Sequence, residues 1–178
     1  IRHFIESTPE EHQIYQDFLC YAEQLEANKN YNDAVVFYEK ALQTDAKHQE
    51  LNKEIADIFA KTNQLDSAVV YYNRYIDSAG EASAEDLLKL GKCYYNMACR
   101  DSVVDEQKAE LVKADSLFAA LSDKVPSSYV GYFWRARVNS MLDPETLEGL
   151  AKPYYEKVVE IGLSNTERYK RELIESYK

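Results

Sequence analysis

The 178-residue sequence predicts an all-α fold of stacked antiparallel helical hairpins, and three observations carry that prediction. Only five glycines and four prolines occur, while Ala, Leu, Glu, Lys and Gln, all good helix formers, are abundant. The stretch "AVVFYEK" (34–40) returns almost unchanged as "AVVYYNR" (68–74), 34 positions later, and such a recurrence is the period of a repeated structural unit. In each copy the small and aromatic residues fall at helical spacing, Ala34, Tyr38 and Ala41 in the first and Ala68, Tyr72 and Tyr75 in the second. With 46% hydrophobic residues the chain can bury a continuous core.

Taken in order, Ile1, Phe4 and Pro9 fit the last turns of a preceding unit over 1–9. A first whole unit spans 10–46, with a stripe of Phe18, Tyr21, Ala22 and Leu25, the polar turn "NKNYN", and then the repeated helix. The second unit, 47–80, has Ile55, Ala56 and Phe59, the turn "TNQLD" and the second copy; Ala22 and Ala56 are again 34 apart. From Ala68 to Ala114 the spacing grows to 46, so the third unit, 81–126, is expected to have both helices lengthened by one to two turns and a protruding tip. Ser102, three residues before Asp105, reads there as a capping-box start, followed by a stripe of Val104, Leu111, Ala114, Phe118 and Leu121. In the fourth unit, 127–163, Asp143 and Pro144 read as an N-cap and first helical residue. Pro153 would then lie inside that helix and kink it. Leu173, Ile174 and Tyr177 fit the first helix of a following unit over 164–178, and a chain that starts at Ile1 in mid-helix reads as a piece of a longer array.

A 34-residue helix-turn-helix with small residues at fixed places resembles the tetratricopeptide repeat, and in particular the tandem repeats of bacterial proteins. In that family one small residue on each helix lets the pair approach closely, and an aromatic fills the gap. Ala22, Ala56, Gly91 and Ala136 stand at the first place, Ala34, Ala68, Ala114 and Ala151 at the second, and Tyr38, Tyr72, Phe118 and Tyr155 at the aromatic one. The sequence departs from the pattern in lacking an early Trp in each first helix and in carrying Arg135 where Leu usually precedes the small residue. The resemblance implies a right-handed superhelix whose concave side, lined by first helices, binds protein.

Composition excludes other classes. A net charge of −10 disfavours nucleic acid. The acidity is concentrated in residues 1–60, with 5 Lys or Arg against 12 Asp or Glu. No run of 18 apolar residues suggests a membrane span, and no leader sequence marks a compartment. Cys20, Cys93 and Cys99 form no C-x-x-C pair, and His3, His12 and His48 are not spaced as metal ligands. His12 and Cys20 lie two helical turns apart, about 12 Å of rise, too far for a nucleophile and its base. There is no phosphate loop, no G-x-S-x-G and no H-E-x-x-H, so neither catalysis nor a cofactor or metal is expected.

What remains is a surface. The residues expected to face the groove are Cys20 and Glu23, then Lys53, Glu54 and Asp57, then Lys89, Lys92 and Tyr95, then Phe133, Trp134 and Arg137, an acidic end passing to a basic one. Lys89, Lys92 and Arg137 with Tyr95 and Trp134 combine the side chains that dominate binding hot spots, and an acidic or C-terminal peptide is their expected ligand. Packing of Trp134 between the third and fourth units is the competing expectation. Some members of the family clamp a terminal carboxylate with Lys and Asn in their first repeats; Leu19, Glu23 and Glu54 occupy those places here and cannot. The sequence thus points to a non-catalytic scaffold for a protein or peptide partner. Self-association through the end helices, or service as an accessory domain of a larger protein, are the alternatives.

Overall fold

The computed structural model describes residues 14–100, 104–163 and 174–176. Eight helices follow one another in that span: α1 Tyr15–Ala27, α2 Tyr31–Thr44, α3 Leu51–Lys61, α4 Leu65–Ala79, α5 Ala84–Arg100, α6 Val104–Lys124, α7 Tyr129–Leu142 and α8 Lys152–Gly162. No strand occurs among the described residues. The helices pack as the pairs α1–α2, α3–α4, α5–α6 and α7–α8, with α3 also on α2 and α7 on α6. The chain divides into two compact units, Ile1–Glu81 and Ala82–Lys178.

In the first unit each hairpin turn is a Schellman-type stop. Lys29 and Asn63, 34 residues apart, both take left-handed φ values of 61° and 59°. The amides of Asn30 and Gln64 then donate back to the carbonyls of Leu25 and Phe59, each at 2.8 Å, so the orphaned carbonyls of both helix ends are satisfied alike. The paired helices approach each other at Ala22 and Ala34 in one hairpin and at Ala56 and Ala68 in the next, all fully buried. Phe18, Tyr38, Leu51 and Ile55 fill the space around them.

The second unit is built on longer helices, α5 with 17 residues and α6 with 21. Ser83 and Asp86 start α5 with a reciprocal cap: the Asp86 carboxylate accepts from the Ser83 amide at 2.9 Å and the Ser83 hydroxyl accepts from the Asp86 amide at 3.2 Å. The capping role expected of Ser102 lies outside the described residues. Glycine allows two close approaches. A Cβ on Gly91 would lie 2.6 Å from the Phe118 ring, and one on Gly131 would lie 2.9 Å from the backbone nitrogen of Ser122. Arg135 leaves the register intact, since Ala136 beside it is fully buried.

Between α7 and α8 the structure corrects the sequence. Asp143 ends α7 and does not begin a helix at Pro144. Its carboxylate accepts from the amides of Leu147, Glu148, Gly149 and Leu150, at 2.7 to 3.4 Å, and so shapes the connection. Burial opposes the charge, but these four donors outweigh it and hold the carboxyl below its ordinary range. Helix α8 begins only at Lys152, which puts Pro153 in its first turn. An N–H there has no intrahelical partner, so the proline costs nothing and no kink forms. Ala151 therefore precedes the helix, and it and Tyr155 are only half-buried, unlike their counterparts; Val158 supplies the buried contact.

Candidate partner-binding site

Two cavities lie between successive first helices, one in each unit, and between them they gather six of the eleven groove candidates. The first, of about 600 Å³, opens between α1 and α3. Tyr15, Leu19 and Tyr38 form its apolar wall, and Glu23, Glu26, Glu50 and Glu54 line it with Lys61. Glu26 accepts from the Tyr38 hydroxyl at 3.1 Å and from the Lys61 ammonium at 2.8 Å. Burial, then the Glu26 charge, raises the Tyr38 phenol well above its ordinary range, while the bond to Glu26 raises Lys61. Four carboxylates against one ammonium make a cavity that repels an anionic ligand. The places of the family's carboxylate clamp, Leu19, Glu23 and Glu54, all line it.

The second cavity, of about 350 Å³, opens between α5 and α7 and is lined by Lys92, Phe133, Trp134 and Arg137 together with Glu175. Trp134 is fixed from below, stacked on the buried Phe118 ring at 5.5 Å, with Tyr95 edge-on at 5.3 Å. Above that platform stand two cations, the Lys92 ammonium and the Arg137 guanidinium, each 5.1 Å from the indole centroid. Arg137 also lies 5.6 Å from the Tyr95 ring and 5.8 Å from that of Phe133. Cation–π attraction of this kind contributes about 0.5–2 kcal/mol, depending on exposure. It holds the charges over the indole without neutralising them. Trp134 thus packs between helices, as one expectation had it, and also lines a cavity that carries two cations.

The remaining candidates are engaged elsewhere. Lys89 pairs with Glu85 at 2.8 Å, one turn back on α5. Lys53 sits over the Tyr75 ring at 5.4 Å, and Asp57 accepts from the Tyr72 hydroxyl. Cys20 takes a hydrogen bond from Gln16, and no disulfide joins the free thiols of Cys20, Cys93 and Cys99. Sequence reasoning gives Tyr38 a packing place only and does not single out Tyr15, Glu26 or Lys61 for the first cavity, although Tyr15 and Glu26 fall on the helical face of Leu19 and Glu23. It also passed over Leu88 and Tyr129, each four residues before a predicted member of the second. Among the described residues no cluster of His, Cys, Asp or Glu could hold a metal, and no helix is long and apolar enough to cross a membrane.

Successive antiparallel helical hairpins of this kind define a helical-repeat fold. Residues 25–90 match the tetratricopeptide repeat family. The C-terminal part of a tetratricopeptide repeat-containing protein from Cytophaga hutchinsonii is 30% identical, with a TM-score of 0.78, and covers 98% of this chain. The chain spans 63% of that structure. The MamA protein of Desulfovibrio magneticus, at 18% identity, covers 87% of the chain and is itself covered over 79%, with a TM-score of 0.66. A tetratricopeptide-repeat protein of Thermus thermophilus, also at 18% identity, gives 91%, 86% and 0.57. The chain thus has the fold of tetratricopeptide-repeat proteins and matches that family in sequence over residues 25–90. No curated protein matches it in sequence.

Proposed function

We propose that the chain is a non-catalytic scaffold that holds a protein partner through a carboxylate-bearing segment seated between α5 and α7. The repeat fold supports the coarser half of this reading, since tetratricopeptide-repeat proteins are generally interaction scaffolds. The pairing of Lys92 and Arg137 over Trp134 carries the finer half. Two cations over an indole offer both charge and a flat apolar face, which suits an acidic side chain beside an apolar residue, or the terminal carboxylate of an apolar last residue. The acidic cavity of the first unit repels the same ligand, so binding is confined to the second.

Trp134 is the chain's sole tryptophan, so its fluorescence reports this cavity alone. Titration with a panel of acidic peptides, hexaglutamate included, should change the emission in a salt-sensitive way, and hexaglutamine should not. Replacing Lys92 and Arg137 together by Glu should weaken the binding at least about 100-fold, or about 2.7 kcal/mol. Equal binding by the double variant would remove the assignment.

A further inference from the structure

Arg137 is not an empty guanidinium, and what occupies it bears on how a partner would enter. The carboxylate of Glu175, in the helical turn 174–176, approaches the Arg137 Nε to 3.3 Å and lines the same cavity as Lys92 and Trp134. Arg135, two residues earlier on α7, shows what a permanent lock looks like. It makes two bonds to Asp115 at 3.1 and 3.0 Å and a third to the Tyr154 hydroxyl at 2.9 Å, and Asn139 holds the same carboxylate at 2.9 Å. Burial opposes its charge, yet Asp115 raises its pKa above the ordinary value. The Arg137 contact is longer than a well-formed N–H···O bond, and both partners keep about a third of their surface in water, 36% and 34%. Surface ion pairs of this kind contribute little and exchange readily.

We propose that Glu175 is the cavity's own counter-ion and that a partner binds by exchanging its carboxylate for that of Glu175 on Arg137. The proposal rests on the reading of the cavity as a carboxylate site and adds a mechanism to it. Glu175 shows that a carboxylate fits there, keeps the guanidinium neutralised when no partner is present, and sets a threshold that weak anions do not pass. Because one carboxylate leaves as another arrives, the charge in the cavity is the same before and after binding. Affinity in the native chain then depends less on salt than two exposed cations would otherwise dictate.

The test is Glu175→Gln in the whole chain, with Glu175→Ala as a second variant of different shape, titrated with hexaglutamate and followed by Trp134 emission at several salt concentrations. Exchange predicts about fivefold tighter binding in both variants, the effect of removing one like charge a few ångströms from the ligand in water. It also predicts a steeper fall of affinity with salt, which a merely structural role for Glu175 would not produce. Unchanged affinity and salt slope, or weaker binding, would overturn exchange while leaving the carboxylate site standing. Absence of binding in the native chain and both variants would overturn the site and, with it, the exchange.

Discussion

The two units use the same aromatic place to opposite ends. In the first, Tyr38 and Tyr72 fill the gap between paired helices and turn their hydroxyls to the carboxylates of Glu26 and Asp57. In the second, Phe118 stands at that place without a hydroxyl, and Gly91 stands where the first unit has alanine. The ring moves into the room left by the missing Cβ and becomes the support for Trp134. A tyrosine there commits the neighbouring surface to carboxylates; a phenylalanine over glycine commits it to an aromatic platform that cations can cover. The contrast between an acidic cavity and a cationic one follows from these two small differences as much as from the charged residues themselves.

Three measurements would break or sharpen that contrast. The largest effect should come from Phe118→Ala, which empties a fully buried ring site and should cost about 3–5 kcal/mol in chemical unfolding while lowering affinity for acidic peptides, because Trp134 loses its floor. A full stability loss with unchanged peptide affinity would separate the platform from the site. Next, Gly91→Ala puts a methyl 2.6 Å from a fully buried ring that also stacks on Trp134. Overpacking should cost about 1–3 kcal/mol, where an ordinary helix interior would gain about 1 from the same change. A gain in thermal stability would show that Phe118 does not depend on the glycine. The smallest effect should be that of Asp143→Asn. The lowered carboxyl pKa means that the charge stabilises the native state fully above the unfolded carboxylate range, near pH 4, and that this contribution fades as pH falls through the native value. The variant should therefore melt below the native chain at pH 7, and the two should converge in acid; a constant gap would contradict the sign.

The repeat and the cationic cavity were legible in the sequence for the same reason. Ala34 and Ala68 are both fully buried at the same place in successive hairpins, so the same residue recurs, and Phe133, Trp134 and Arg137 share one helix while Lys92 comes from the first helix of the preceding hairpin, which the repeat register also marks. Glu175 was not legible as part of the cavity, because no local pattern marks a contact across 38 residues. Lys53, Asp57 and Lys89 lie on the expected helices, but what each side chain reaches is decided by Tyr75, Tyr72 and Glu85, which the groove register does not encode. The Asp143–Pro144 pair misled for a physical reason. Aspartate before proline suits a helix start, yet the same carboxylate can serve four loop amides, and only the three-dimensional path of the chain decides between the two.

That arrangement has a use beyond stability. The connection after α7 is shaped by one side chain at its base, while Pro144 to Glu148 are exposed and Leu147 shows 86% of its surface. Leu147 and Glu148 give their amides to Asp143 and leave their side chains in solvent. Shape and side-chain identity are thus decoupled over this short stretch. With the free thiols of Cys20 and Cys99 replaced by Ser, a cysteine for a fluorescent dye can stand at Leu147 without rewriting the fold, which makes the loop a place to label the second unit while Trp134 reports on its cavity.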